Sequence, residues 1–161
     1  MEDTISLQLE IFLDVLIASA LAGVAGLERE ISGKPAGLRT HMIIGGASAL
    51  LVALGQVEIV YFKSLPAVSD VLRTDPIRII QAVIAGISFI GAGTILKMEK
   101  QKRVQYLTTA AALLFASGVG MSVALKQYVL AVAVTVLILV INFMANYVDK
   151  LIAKIQKRKD Y

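Results

Sequence analysis

Apolar residues along this chain arrive in unbroken blocks rather than in alternation, and polar residues gather between the blocks. Alternation at every second residue would mark half-buried strands; long apolar runs mark buried or membrane-spanning helices. Five such runs predict helices over residues 11–27, 41–61, 76–96, 107–125 and 128–148. Each holds about 17 to 21 residues, which at 1.5 Å per residue approaches the roughly 30 Å of a hydrocarbon core. The expected fold class is therefore all-α: a polytopic membrane protein with five transmembrane helices in a single domain spanning 1–161. The first run is the shortest and is expected to thin the bilayer or to be shielded by its neighbours.

The connections add detail. The stretch from Glu28 to Arg39 is short and rich in Gly and Pro, whereas 62–75 is longer and polar enough for a short interfacial helix. Asp75-Pro76 reads as a helix start, with Asp as N-cap and Pro in the first turn. After Val148 the last helix is expected to continue as a basic tail, 149–161, with Leu151, Ile152 and Ile155 towards the acyl boundary.

Composition sharpens this picture. The chain is 57% hydrophobic and only 17% charged, against about a quarter charged in soluble domains. Cysteine is absent and His41 is the sole histidine, which excludes thiolate sites and argues against imidazole-built zinc or iron chemistry. The net charge of +4 does not call for nucleic acid, because the basic residues stand at the ends of the apolar runs, where they report topology and lipid headgroups. Glu2, Asp3 and Glu10 precede the first run, so it lacks the basic start of a signal peptide and is expected to be retained.

Lysine and arginine also fix an expected orientation. With the N-terminus outside, the inner face carries Arg29, Lys34, Arg39, Lys97, Lys100, Lys102, Arg103, Lys150, Lys154, Lys157, Arg158 and Lys159. The outer face carries Lys63, Arg73, Arg78 and Lys126. This asymmetry is what the positive-inside rule requires, and it places the C-terminus in the cytoplasm.

Candidate chemistry lies in charges that a bilayer tolerates poorly, each costing at least about 2.5–3.5 kcal/mol near the centre. Asp14 sits inside the first run, Glu28 closes it, and Arg39 and His41 open the second; Asp75, Arg78 and Gln81 open the third. Headgroup depth with snorkelling explains Glu30, Lys34 and Arg78. Glu28 and Arg39 flank the turn Gly33-Lys34-Pro35-Ala36-Gly37, so an ion pair between them is expected. It acts either as a structural clamp, the favoured reading, or as a carboxylate that exchanges arginine for Mg²⁺, a hard ion needing one or two carboxylates. Asp14 and Asp75 form, on this reading, a cation-attracting outer mouth. If any residue holds a metal, it is Glu28 or Asp75.

Small residues recur every four positions: Ala18, Ala22 and Gly26; Ala82 and Gly86; Ala112, Ala116 and Gly120. Such faces let helices approach closely, within one chain or in a homodimer. The run Gly86-Ile87-Ser88-Phe89-Ile90-Gly91-Ala92-Gly93 is denser in glycine than packing needs; a close crossing is favoured over a broken helix that lends backbone to an ion. A serine hydrolase using Ser88 and His41 lacks any nucleophile motif, and no enzyme is expected.

Gly26-Leu27-Glu28-Arg29-Glu30, Lys34-Pro35-Ala36-Gly37-Leu38-Arg39-Thr40-His41, Asp75-Pro76 with Arg78 and Gln81, the glycine run and Leu107-Thr108-Thr109 stand in this order. In these motifs the chain resembles the MgtC/SapB family of bacterial membrane proteins. The resemblance implies a multi-pass protein of the bacterial inner (cytoplasmic) membrane, linked to magnesium homeostasis and, in pathogens, to growth at low Mg²⁺ and survival inside macrophages. Family members are described as magnesium transporters and also as inhibitors of the F-type ATP synthase. Carried over, the family pattern implicates Glu28, Arg39, Asp75, Gln81 and the glycines Gly86, Gly91 and Gly93, together with the turn residues Pro35, Gly37, Thr40 and His41. Two departures stand out: many members carry a C-terminal ACT-like domain that this chain is too short to hold, and the family's Val-Arg-Gly-Leu is here Val104-Gln105-Tyr106-Leu107.

Two functions follow as expectations. One is a transport-related protein for Mg²⁺, as a dimer or larger oligomer because five helices are few for a pathway. The other is a non-transporting regulator that binds another membrane complex.

Overall fold

The computed structural model describes residues 2–64, 75–96 and 106–159, the side chains at 2, 3, 63, 96, 149–154 and 156–159 aside. Five α-helices follow in order: α1 Glu2–Ile31, α2 Leu38–Lys63, α3 Pro76–Leu96, α4 Leu107–Ala124 and α5 Tyr128–Lys159. All five are long and apolar enough to cross a membrane. The expected interfacial helix falls mostly on 65–74, and Arg73, Lys97, Lys100, Lys102, Arg103, Val104 and Gln105 also lie outside the described residues.

α1 and α2 form an antiparallel hairpin, and α4 lies against both while also touching α3 and α5. Half of the α4 span is buried, against 17% for α3 and for α5, so α4 is the axis of the bundle and those two are its flanks. The buried core is built mainly from small or branched side chains: Ala18 and Ala22 of α1, Ile44, Ala49 and Val52 of α2, Leu113, Ala116 and Val119 of α4. Lipid tails are as apolar as leucine, so close backbone approach rather than hydrophobic exclusion holds such a core together. The α2–α4 crossing is the tightest: a Cβ at Gly120 would collide with the Gly45 carbonyl oxygen. Beside it Ser48 donates to Ser117 at 3.0 Å, both fully buried. Large apolar side chains such as Phe89, Val129 and Phe143 point outward, where a bilayer would solvate them.

Helix ends differ from the sequence expectation. α1 begins at Glu2 and has 30 residues, so the shortest helix is α4, with 18. Glu2, Asp3 and Glu10 stand before the apolar run, but the helix extends through them, and Lys126, in the α4–α5 turn, pairs with Glu10 as well as with Asp14. α3 starts as expected: the Asp75 carboxylate accepts from the Ile77 amide at 3.0 Å. The glycine run neither breaks α3 nor forms a continuous crossing. Gly91 packs on Ala110 of α4, while a Cβ at Gly86 or Gly93 would meet nothing.

Candidate functional site

The α1–α2 turn end of the bundle gathers polar groups that its sequence motif supplies. Gly26 has no side chain because His41 packs directly against it. His41 is completely buried, and its Nδ1 donates to the Gly37 carbonyl at 3.0 Å, since a carbonyl only accepts. Gly37 lies against Glu30, whose carboxylate accepts from the Leu38 amide at 2.7 Å and caps α2 from the neighbouring helix. This substitutes for the side-chain cap that Gly37 lacks. The turn also uses left-handed backbone at Gly33 and Ala36, which closes it tightly.

Arg29 is the centre of this end. Its side chain is 2% exposed, and Nη2 donates to Thr109 Oγ1 of α4 at 2.6 Å and to the Pro35 carbonyl at 3.1 Å. One guanidinium therefore ties α1, the turn and α4 together. Next to it, Glu28 Oε1 accepts from Asn146 of α5 at 3.1 Å and from Ser32 at 2.9 Å. Lys34 stands 3.7 Å from the same oxygen and donates to Asn146 at 3.1 Å. The expected Glu28–Arg39 pair does not form: Lys34 takes the place of Arg39, which is exposed on α2. The left-handed turn brings the lysine back over α1, while Arg39, in the first turn of α2, is turned outward.

Among the described residues, four buried side-chain atoms have no hydrogen-bond partner: Glu28 Oε2, Arg29 Nε, His41 Nε2 and Asn142 Nδ2. The first three belong to this cluster, and Asn142 lies one turn from Asn146 on α5. Buried polar atoms are normally satisfied, so this concentration makes the turn end of the bundle the candidate site. It offers one acceptor each from Glu28 and His41 and one donor each from Arg29 and Asn142. The neighbourhood of Glu28 is dominated by Arg29 and Lys34, so a divalent cation fits poorly there. No group of three or more Asp, Glu, His or Cys able to hold a metal occurs among the described residues.

The opposite end is organised around Asp14, which is 3% exposed. Lys126 Nζ lies 2.5 Å from its Oδ2 and 2.7 Å from Glu10, and the Tyr128 hydroxyl donates to Oδ1 at 2.8 Å. Partial desolvation works against the Lys126 charge, but the hydrogen bonds it donates to Asp14 and Glu10 outweigh it and hold the ammonium above its ordinary pKa. Asp75 does not join Asp14; it is exposed at the start of α3 and shares a small hollow with Glu58. Gln81 is exposed on α3, and Thr40 is half-buried beside the turn. Sequence reasoning missed the burial of Arg29 and the roles of Thr109, Lys126, Tyr128 and Asn146. Asn142 and Asn146, one turn apart in an apolar helix, were the available signal.

The family model for MgtC matches residues 15–151, and with them the whole α1–α2 turn, α3 and α4. The chain belongs to the MgtC family. It is similar to the Escherichia coli K12 protein named "Putative magnesium transporter YhiD", 35% identical over 132 residues, 82% of this chain and 59% of that protein. SapB of Bacillus subtilis is 32% identical over 143 residues, covering 88% of this chain and 60% of SapB. MgtC of Salmonella typhi is 30% identical over 153 residues, 92% of this chain and 60% of that protein. The chain thus spans about three fifths of the length of these relatives. No solved structure gives a significant match. As a family member with five membrane-span helices, this MgtC-family chain is a multi-pass membrane protein.

Proposed function

We propose that this MgtC-family chain supports magnesium homeostasis in the bacterial inner membrane as a non-transporting regulator of another membrane complex, with the Glu28–Arg29–His41 cluster as its functional site. The magnesium link rests on the family and on the name given to YhiD. The observation that carries the regulator reading is the middle of the bundle. Asp14 and Glu28 are about 21 Å apart along α1, and the buried positions between them include Ala18, Ala22, Ile44, Ala49, Leu113 and Ala116. Ion pathways need polar or charged groups along the bundle interior, and among the described residues this interior supplies only hydroxyls: the Ser48–Ser117 pair and Thr135, which donates back to the Ala131 carbonyl of its own helix. Transport would then require a dimer or larger assembly with a path between bundles.

At the site, the partner-free atoms of Glu28, Arg29, His41 and Asn142 are buried, so they are suited to a polar group that a partner helix or loop inserts into this end of the bundle. The family resemblance names the F-type ATP synthase as one such complex. No catalytic step belongs to this reading.

Two measurements test it together: Mg²⁺ uptake by the purified protein in liposomes, and growth at low Mg²⁺ of a bacterium lacking its own homologue. Wild type is expected to give no uptake above empty vesicles yet to restore growth. Glu28→Gln, checked for membrane insertion and helical content, is expected to lose that growth. Uptake that depends on Glu28 or Asp75 would overturn the regulator reading, and full growth with Glu28→Gln would overturn the site.

A further inference from the structure

α2 and α3 diverge from one another and leave a cleft of about 690 Å³ between them. Its walls are apolar, from Leu51, Leu54, Ile79, Ile87 and Ile90 among others, and only two charged residues line it, Glu58 and Arg78. Both stand at one end: Glu58 is near the C-terminus of α2, Arg78 is in the first turn of α3, and the two helices run antiparallel, with Gly55 against Ile79 fixing the register. From Arg78 to Ile90 the cleft extends about 18 Å along α3, slightly more than the roughly 15 Å of one leaflet's hydrocarbon. Gly86 lies in its wall, and a Cβ there would meet nothing within 4 Å. A charged mouth above a leaflet-long apolar slot is the shape of a lipid, with its headgroup at one end and its tail along the other.

The charges at the mouth choose the headgroup. Arg78 offers guanidinium donors suited to a phosphate. Glu58, joined by Asp75 in the adjoining hollow, offers carboxylate to an ammonium. Neither Glu58 nor Arg78 makes a salt bridge with another described residue, so among the described residues nothing competes with a ligand for either charge. We infer that the α2–α3 cleft binds one phospholipid whose headgroup carries both a phosphate and a primary ammonium, phosphate at Arg78 and ammonium at Glu58, with an acyl chain along the slot past Gly86. A purely anionic headgroup would satisfy Arg78 but bring its charge beside Glu58 and Asp75. This site is at the opposite end of α2 from the Glu28–Arg29–His41 cluster and does not depend on the function proposed for that cluster.

The test uses the full chain reconstituted in vesicles of equal parts phosphatidylethanolamine and phosphatidylglycerol, extracted in mild detergent and weighed intact by native mass spectrometry. Wild type is expected to retain one phosphatidylethanolamine in preference to phosphatidylglycerol. Gly86→Leu fills open space, so it should keep its helical content and elution volume while losing most of the adduct. Gly118→Leu, at an open glycine outside the cleft, should retain the adduct. Glu58→Gln should lose the preference between the two lipids. Wild type without a retained lipid, undiminished retention by Gly86→Leu, or no headgroup preference in wild type would each overturn the assignment. A lipid-free dimer that Gly86→Leu dissociates would also overturn it, because the cleft would then be covered by a second copy.

Discussion

A guanidinium buried as deeply as that of Arg29 needs acceptors, and it finds a hydroxyl on α4 and a carbonyl in the α1–α2 turn. Hydrogen bonds to charged groups contribute about 1.5–3 kcal/mol in proteins generally, whereas side-chain bonds between membrane helices average about 0.6. The Arg29–Thr109 bond is both charge-assisted and buried, so Thr109→Val is expected to cost about 1–2 kcal/mol. Thermal unfolding in detergent, followed by circular dichroism, measures this. In the Arg29→Met background the same change should cost much less, because the charge that makes the hydroxyl valuable is gone; equal costs in both backgrounds would show that the two side chains are uncoupled. Arg29 also shows why the site was only partly readable in sequence. A basic residue at the end of an apolar run ordinarily snorkels to the headgroups, and nothing local distinguishes one that turns inward to a threonine 80 positions away. Glu28 and His41 were legible because a carboxylate and an imidazole at a tight glycine turn are conspicuous, but the choice of Lys34 over Arg39 as the partner of Glu28 depends on the left-handed residues of that turn.

Glycines that look alike in the sequence play different parts once the helices are placed. Gly120 sits where α4 crosses α2 against the backbone of Gly45, and Gly118, two residues earlier, faces open space. Gly120→Ala is therefore expected to destabilise the bundle by about 1–3 kcal/mol, the usual cost of overpacking. Gly118→Ala should leave the melting temperature unchanged or raise it slightly, since alanine is the better helix former. The same thermal measurement on the pair decides the matter, and comparable losses from both would mean that the crossing is not set at Gly120. Four-residue spacing correctly marked α1 and α4 as packing helices, with Ala18, Ala22, Ala112 and Ala116 buried. It marked no packing face within the chain on α3, where Ala82 is exposed and a Cβ at Gly86 would meet nothing, because spacing reports which face is small and not which face meets a neighbour. Length was misjudged for α1 for a related reason: the apolar run stops short of Glu2, Asp3 and Glu10, whereas the helix continues through them, with Lys126, far along the chain, pairing with Glu10.

Five spans were legible because each must cross roughly 30 Å of hydrocarbon with its backbone bonded internally, a constraint written into every 20-residue window. Their arrangement around α4 was not, since it depends on contacts among small side chains with no pattern of their own. Orientation lies between the two. The turn end carries Arg29, Lys34 and Arg39, with Arg29 buried and Lys34 near Glu28; the other end carries Arg78 and Lys126, the latter held by two carboxylates. The positive-inside rule counts lysine and arginine and gives little weight to acidic residues, so the turn end is expected in the cytoplasm and the α4–α5 turn outside. The absence of cysteine makes this directly measurable. Ser32→Cys and Gln127→Cys place one thiol at each end on exposed residues. In intact spheroplasts a membrane-impermeant maleimide should label Gln127→Cys alone, and permeabilised cells should label both. The reverse pattern would put the Glu28–Arg29–His41 cluster on the outer face, where no cytoplasmic partner reaches it, and the lipid cleft mouth in the inner leaflet. Labelling of both thiols in intact spheroplasts would mean that the chain inserts in two orientations, which in one protein would require that its lysines and arginines no longer set the topology.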